Sequence, residues 1–255
     1  MLIAMTRAVS PRIAECELTH LAREPINPGR ARVQHRRYEE LLAELGCELH
    51  HLPPEPELPD SVFVEDTAVV LDELAVITRP GAESRRAETA SVAEALKPYR
   101  KLFHIQAPGT LDGGDVLRIG KTLYVGLSNR SNLEGIEQLQ RIVIAFGYSI
   151  NAVRLRDCLH LKSAVTQVAE NTLLINRAWT DAAVFHDFQL IDAAISEPFS
   201  ANALRIADSL IYPEAFTQTR KRLEAQGIKV RTVDVSELAK AEGGVTCCSL
   251  IFTAE

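Results

Sequence analysis

No C-x-x-C pair occurs in this 255-residue chain, and its five cysteines are scattered: Cys16, Cys47, Cys158 and the adjacent Cys247 and Cys248. An odd, dispersed set in a chain of this length does not read as a disulfide framework. Neighbouring cysteines rarely bridge each other, because the ring is strained. A structural zinc site has no ligand spacing to build on. Basic charge is also scarce: 28 Lys and Arg stand against 34 Asp and Glu, a net charge of -6. With no Lys/Arg block either, nucleic acid is not the expected partner. No apolar run approaches the roughly 20 residues that span a bilayer, so no membrane partner is expected. The opening MLIAMTRAVSPR is too short in its apolar part for a signal peptide. No G-x-G-x-x-G follows a first strand, which removes the usual ligand signal of an open doubly wound sheet. The expectation is a soluble, cytoplasmic protein whose residues 1–255 form a single domain.

What the chain does contain is a repeated layout. A polar residue leads into an apolar strand, a short turn follows, and a second apolar strand returns. The layout recurs in SVFVEDTAVVLDELAVITRP with its turn at Asp72-Glu73, and in TLDGGDVLRIGKTLYVGLSNR with Gly120-Lys121. It recurs again in LHLKSAVTQVAENTLLINRA with Glu170-Asn171, and in SANALRIADSLIYP near Asp208. The fifth copy, GGVTCCSLIF, reaches the chain end before its partner strand, and the unpaired MLIAMTR is a strand of the right kind to complete it. Between hairpins lie amphipathic helix candidates, each followed by one more short strand. RVQHRRYEELLAELG groups Tyr38, Leu41, Leu42 and Leu45 on one face and stops at Gly46. ESRRAETASVAEALKP ends at a proline. SNLEGIEQLQRIVIAFG opens with a Ser131/Glu134 capping box, a shorter helix is expected in TDAAVFHDF, and EAFTQTRKRLEAQG is the last. The chain therefore reads as about five ββαβ units. No unit alone buries both faces of its hairpin, and closing them into a ring around an axis would.

In such a ring, the hairpin entrances face one axis. The residues there are Glu65 with Asp66, Asp112 with Asp115, His160, Asn202 and Cys247. They make chemical sense together. A cysteine nucleophile needs a base or a cationic neighbour that favours thiolate, and His160 can serve. A histidine works best when a carboxylate fixes its tautomer, and Asp112 is a candidate. The remaining carboxylates, Glu65 and Asp66, would attract a cation, and a guanidinium matches paired carboxylates best. If the last segment is a strand throughout, Cys247 and Cys248 point to opposite faces, Cys247 to the axis and Cys248 into packing. Gly243-Gly244 would let the chain turn tightly into that strand.

Six ordered stretches, PDSVFVEDTAV, RPGAESRR, APGTLDGGDVL, YVGLSNRSN, HLKS and GGVTCCS, resemble those of dimethylarginine dimethylaminohydrolases, within the guanidine-modifying (amidinotransferase or pentein) superfamily. The resemblance covers essentially the whole chain. It implies a five-bladed α/β propeller with pseudo-fivefold symmetry, and hydrolysis of Nω-methylated arginines to citrulline and an alkylamine without an organic cofactor. It implies that Cys247 is the nucleophile, His160 the general acid and base, and Asp112 its carboxylate partner. Asp66, with Glu65, would bind the guanidinium. Asp60 and the carbonyls near Leu18 and Ala241 would hold the α-ammonium group, and Arg85 and Arg130 the α-carboxylate. A homodimer is implied by the resemblance alone. Two departures from the pattern stand out: Asp112 where some bacterial members have Glu, and Ala241-Glu242 where a larger aliphatic residue and then Asp are usual. A Cys247–His160 pair could also capture zinc adventitiously, which would inhibit rather than support the enzyme. The competing readings are arginine deiminase, or a non-catalytic propeller used for binding.

Overall fold

The structure is a computed structural model and describes residues 1–254. The two ends of the chain meet in one sheet. Strand β1 (Leu2–Thr6) runs parallel to β2 (Glu48–His51) and antiparallel to β15 (Leu250–Thr253), with Ile3 opposite both Glu48 and Phe252. Four further sheets repeat this plan. They are β3 (Ala68–Val70), β4 (Leu74–Ile77) and β5 (Lys101–His104); then β6 (Val116–Ile119), β7 (Thr122–Leu127) and β8 (Ser149–Arg154). The last two are β9 (Val165–Ala169), β10 (Thr172–Ile175) and β11 (Gln189–Asp192), and β12 (Leu204–Ile206), β13 (Ser209–Pro213) and β14 (Lys229–Val233). In each, an antiparallel hairpin pairs its second strand in parallel with a third. The hairpin turns fall at the expected Asp72-Glu73, Gly120-Lys121, Glu170-Asn171 and Asp208. This is the five-bladed α/β propeller of ββαβ units.

The parallel third strand needs a crossover, and helices supply most of them. Helix α1 (Pro28–Glu44) starts on an Asn27 cap, whose side chain accepts the Arg30 N–H, with Pro28 in the first turn. It buries Tyr38, Leu41 and Leu42 and ends before Gly46, which has a φ of 92°. Helix α2 (Thr89–Leu96) follows a 3₁₀ segment, Glu83–Glu88, so the expected single helix has a tighter first half. Helix α3 (Leu133–Val143) is capped by Asn132, not by the expected Ser131/Glu134 box. Asn132 Oδ1 accepts the N–H groups of Gly135 and Thr110, while Ser131 turns inward to other work. In the fourth blade the expected helix over TDAAVFHDF shrinks to one 3₁₀ turn, Ala182–Phe185, whose Phe185 is fully buried. Helix α5 (Thr217–Ala225) spans the fifth blade; the one-turn helices α4 (Leu161–Ala164) and α6 (Ser236–Ala239) lie before β9 and after β14.

The core is divided between neighbouring blades. Ile3, Met5 and Phe252 of the first sheet pack with Ala75, Ile77 and Leu96 of the second. Val76, Leu123, Val125 and Leu139 join the second to the third. Leu117, Tyr124, Leu173 and Phe185 join the third to the fourth, and Val168, Leu174, Leu210 and Tyr212 the fourth to the fifth. Ile211 and Val233 then meet α1 and the segment before β15, which closes the ring. Each hairpin faces a different cluster on each side, which is why no blade is self-sufficient.

The approach to each hairpin is a short helical turn or bend rather than extended strand. Val64–Thr67 and Gly113–Asp115 are 3₁₀ turns, His160 begins α4, and residues 198–201 and 245–248 are turns. The last corrects the strand expectation for the two cysteines: β15 begins only at Leu250. They part company within a turn. Cys248 is buried against Tyr38, Leu238 and Val245, while Cys247 is half-buried and lines a cavity.

Asn132→Ala should destabilise the protein by about 1 kcal/mol or more, since a cap and a second buried-edge acceptor go together. Glu134→Ala should stay within about 0.5 kcal/mol. Urea unfolding of the two variants checks this; equal losses would restore the Ser131/Glu134 box.

Candidate functional site

Three blade entrances bring His160 between two carboxylates. His160 Nε2 lies 3.0 Å from Asp112 Oδ2, and Nδ1 lies 3.7 Å from Asp66 Oδ1. All three side chains are buried. Asp112 is fixed on its other oxygen, where Oδ1 accepts the Gly81 N–H at 2.9 Å, and its own N–H donates to Ser131 Oγ. Asp66 Oδ1 accepts the Gly114 N–H at 2.9 Å. Gly114 must be glycine: a Cβ there would fall 2.6 Å from His160 Nδ1 and 2.7 Å from Asp66 Oδ1. Gly244 is constrained in the same way by the Asn202 side chain, 2.4 Å from where its Cβ would be, so close approach rather than a positive φ demands it.

Charge follows from this arrangement. Burial by itself would lower the His160 pKa, but Asp66, the hydrogen bond to Asp112 and the field of Asp115 outweigh it and raise the pKa to about 9. Burial works against the Asp66 carboxylate too, yet His160, Arg85 and the Gly114 N–H hold its pKa down to about 2. At neutral pH the pair is an imidazolium beside a carboxylate. Cys247 differs. Desolvation, then Glu65 and Asp66, push its thiol up to about 12, against the pull of the Gly244 N–H, which donates to Sγ at 3.3 Å. The unliganded site therefore holds a neutral thiol near a charged histidine.

A polar slot of about 20 Å³ collects Cys247, His160, Asp66, Asp60, Arg85, Arg130 and Ala241. Asp60 Oδ2 accepts the Glu17 N–H at 3.1 Å. Arg130 is buried, donates from Nη2 to Thr19 Oγ1 at 3.0 Å and leaves Nη1 without a partner. Arg85 is different in kind. Its Nη1 donates to Asp66 Oδ2 at 2.6 Å, its Nε and Nη2 grip Glu88, and Nη2 also donates to the Phe63 carbonyl. It is largely committed inward. Burial raises the Glu88 pKa to about 7 against the pull of Arg85.

Two expected residues lie elsewhere. Glu65 does not share the slot with Asp66: its Oε1 accepts from Lys162 Nζ at 2.6 Å and Oε2 from Thr246 Oγ1 at 2.7 Å. It faces the opposite mouth of the axis, because adjacent residues of the 3₁₀ turn point in different directions. Leu18 packs its side chain on the core, while its neighbour Glu17 lines the slot and Thr19 accepts from Arg130. The Glu242 exchange also acquires a role. Its carboxylate accepts the successive backbone N–H groups of Thr19, His20 and Leu21, pinning that segment beside the site. Asp115 is not in the slot. Its Oδ2 accepts from Ser128 and Ser131, and its Oδ1 from the Leu161 N–H, so it braces both Arg130 and His160. Asn202 likewise braces, donating to the Lys162 carbonyl and to Thr246 Oγ1. Among the described residues, the side chains whose ligand atoms converge as a metal would require are Asp66, Asp112 and His160; Cys247 is outside that group.

These charges predict a pH dependence of stability. His160, raised from 6.5 to about 9, contributes stability that is complete below pH 6.5 and lost as pH rises through 9. Glu88, raised from 4.5 to about 7, and Asp115, raised from 3.8 to about 6 by burial, act in the same direction. Asp66 acts oppositely, but only as pH falls from 3.8 through 2. The melting temperature should therefore fall between about pH 5.5 and about pH 9.5. Thermal melts across that range check it, and a flat or rising profile would contradict the charge assignment.

A family model for eukaryotic N,N-dimethylarginine dimethylhydrolases matches residues 19–253. The N(G),N(G)-dimethylarginine dimethylaminohydrolase of Streptomyces coelicolor is 41% identical over 250 residues, 97% of this chain and 95% of that protein. The Pseudomonas aeruginosa protein of the same name is 38% identical over 221 residues, 86% of this chain and 87% of that one. A solved structure of the Pseudomonas aeruginosa protein, a cysteine-to-serine variant complexed with citrulline, superposes with a TM-score of 0.92 at 35% identity and covers 98% of both chains. With its matching motifs, repeat and buried polar site, the chain belongs to the dimethylarginine dimethylaminohydrolase family.

Proposed function

We propose that the protein hydrolyses Nω-methylated L-arginines to L-citrulline and an alkylamine, through a covalent thiouronium intermediate on Cys247. One observation carries the reading: the Asp112–His160–Asp66 array opens onto the same slot as the Cys247 sulfur. The relatives named above support it, one of them having been solved with citrulline bound. No organic cofactor takes part, and a cytoplasmic location and a homodimer belong to the same proposal.

The substrate guanidinium sits against the Asp66 carboxylate, which is ionised at every working pH. Asp60, with the carbonyls near Leu18 and Ala241, receives the α-ammonium group. The unpartnered Nη1 of Arg130 takes the α-carboxylate, with Arg85 behind it holding Asp66 in position. The substrate's positive charge lowers the thiol pKa of Cys247, whose proton leaves to solvent. The thiolate attacks the central guanidinium carbon, and the imidazolium of His160 gives its proton to the departing amine. A thiouronium remains on Cys247. Neutral His160 then takes a proton from water and the hydroxide adds to the same carbon. Collapse expels the Cys247 sulfur, which takes the proton of the added hydroxyl, so the thiol and the His160 imidazolium are restored and the urea of citrulline is left.

Dimethylarginine should release citrulline at least about tenfold faster than arginine, the preference that separates this activity from arginine deiminase. Cys247→Ser should lose at least about 10³-fold in turnover. Cys248→Ala should keep kcat/KM within about threefold, because that thiol only packs. A citrulline assay decides both points. Near-full activity of Cys247→Ser, or a preference for arginine, would sink the reading.

Arg130→Gln should raise KM for dimethylarginine by about 10²-fold with little change in kcat, since a carboxylate anchor binds substrate and transition state alike. Labelling of Cys247 by a haloacetamidine, followed by mass spectrometry, excludes the non-catalytic propeller: an inert core thiol does not react.

A further inference from the structure

Cys247 lies where two cavities meet, and the reaction above uses one of them. The polar slot holds about 20 Å³. A second cavity of about 300 Å³ adjoins it, and the two share Leu159, Glu242, Gly243 and Cys247 as a common wall. The characters of the two differ. The slot is walled by Asp60, Asp66, Arg85 and Arg130. The second cavity exposes a mostly apolar wall, with Leu21, Trp179, Phe199 and Phe216 foremost, although Glu24, Asp234 and Lys240 also line it. Trp179 and Phe199 form a tilted aromatic pair, with ring centroids 5.2 Å apart, and Phe199 remains 47% exposed. An aromatic left half open at the rim of an apolar hollow beside a reactive sulfur calls for an occupant.

The substrate's charged groups all belong to the slot. The part left over is the substituent on the leaving nitrogen. That nitrogen receives its proton from His160, and Leu159, the residue beside it in the chain, stands on the wall shared by both cavities. A substituent on the leaving nitrogen therefore has the apolar hollow within reach, across the wall that Leu159 and Cys247 share. Two methyl groups, each comparable to the share of about 30 Å³ that a water molecule takes in the liquid, leave most of it empty.

We propose that the apolar cavity beside Cys247 is a leaving-group subsite, and that the enzyme accepts Nω-substituted arginines carrying apolar groups larger than methyl, such as butyl or benzyl. The proposal rests on the hydrolase reading above and names its substrate class more widely. The reaction is unchanged in atoms and electrons: water adds, and butylamine or benzylamine leaves in place of dimethylamine. Each methylene buried in the hollow should tighten binding by up to about fourfold.

The experiment compares citrulline release from dimethylarginine, Nω-butylarginine and Nω-benzylarginine by the whole enzyme and by Ala239→Phe. Ala239 is an exposed residue that lines the hollow and not the slot. The same three compounds are titrated calorimetrically into the Cys247→Ser protein. Expected are kcat/KM values for the butyl and benzyl compounds at or above that for dimethylarginine, with Ala239→Phe lowering the two larger ones by at least about tenfold and sparing dimethylarginine. If dimethylarginine is hydrolysed while the larger compounds are about 10²-fold poorer and bind no better to Cys247→Ser, the subsite is refuted and the hydrolase reading stands. Equal losses for all three compounds in a folded Ala239→Phe protein would also refute it. If no arginine derivative is hydrolysed or bound, the hydrolase reading falls, and the subsite with it.

Discussion

The site depends on balancing buried charge around the axis. Asp66 and Asp112 are both out of water, and buried carboxylates need compensating partners. His160 sits between them and carries the compensating charge, with Arg85 on the far oxygen of Asp66. This one arrangement sets several properties together. It keeps His160 protonated and ready to donate, and keeps Asp66 negative for a cationic substrate. Burial of the sulfur, with the negative charge of Glu65 and Asp66, keeps Cys247 a thiol. In the proposed reaction, the nucleophile is thereby formed when the cationic substrate arrives.

The same balance extends outward in shells. Glu88 holds Arg85, and Arg7, fully buried nearby, is held by Glu55, Ser91 and the Ser61 carbonyl. On the opposite mouth, Lys162 and Glu65 neutralise each other, and Thr246 and Asn202 fill the remaining valences. A propeller of short blades has an axis wide enough for side chains from every blade. With the axis filled by these pairs, the reactive face has its own electrostatic environment, apart from the second mouth.

What was legible in the sequence reflects how local each signal is. The hairpins and their turns were readable because strand alternation and turn residues are written within about 20 residues. The axis residues were readable because they recur at corresponding points of a repeat. Polar groups such as Asp66, His160 and Cys247 are out of place before apolar strands, and a ring sends them to one point. The partners of Glu65 were not readable, because Lys162 lies 97 residues away and nothing near Glu65 announces it. The different standing of Arg85 and Arg130 was hidden for the same reason: only the fold shows that Glu88 and Asp66 occupy one guanidinium while the other keeps a free nitrogen. The Asn132 cap was missed because Ser131 offered an equally good local pattern. Ser131 is instead drawn to Asp115, a tertiary partner that overrides the capping preference. The two cysteines were separated correctly but for a wrong reason: a turn, not strand alternation, sends them apart.

A ring built this way divides labour between its elements. The charged machinery comes from the turns ahead of the hairpins, where Asp66, Asp112, His160 and Cys247 are bound to one another across blades. A change in any of these disturbs its neighbours' charge. The apolar wall beside Cys247 draws largely on other connections: Trp179 follows the hairpin of the fourth blade and Phe216 and Val235 flank the third strand of the fifth, while Phe199 comes from the turn ahead of the fifth blade's hairpin. These positions share no hydrogen bond or ion pair with the catalytic array. Loop changes there can reshape what surrounds the leaving nitrogen while leaving the proton donor, the nucleophile and the guanidinium carboxylate as they are. In the proposed reaction the fold thus largely separates the residues that act on the guanidinium from those beside the group released, and the two sets touch at Leu159, Glu242, Gly243 and Cys247.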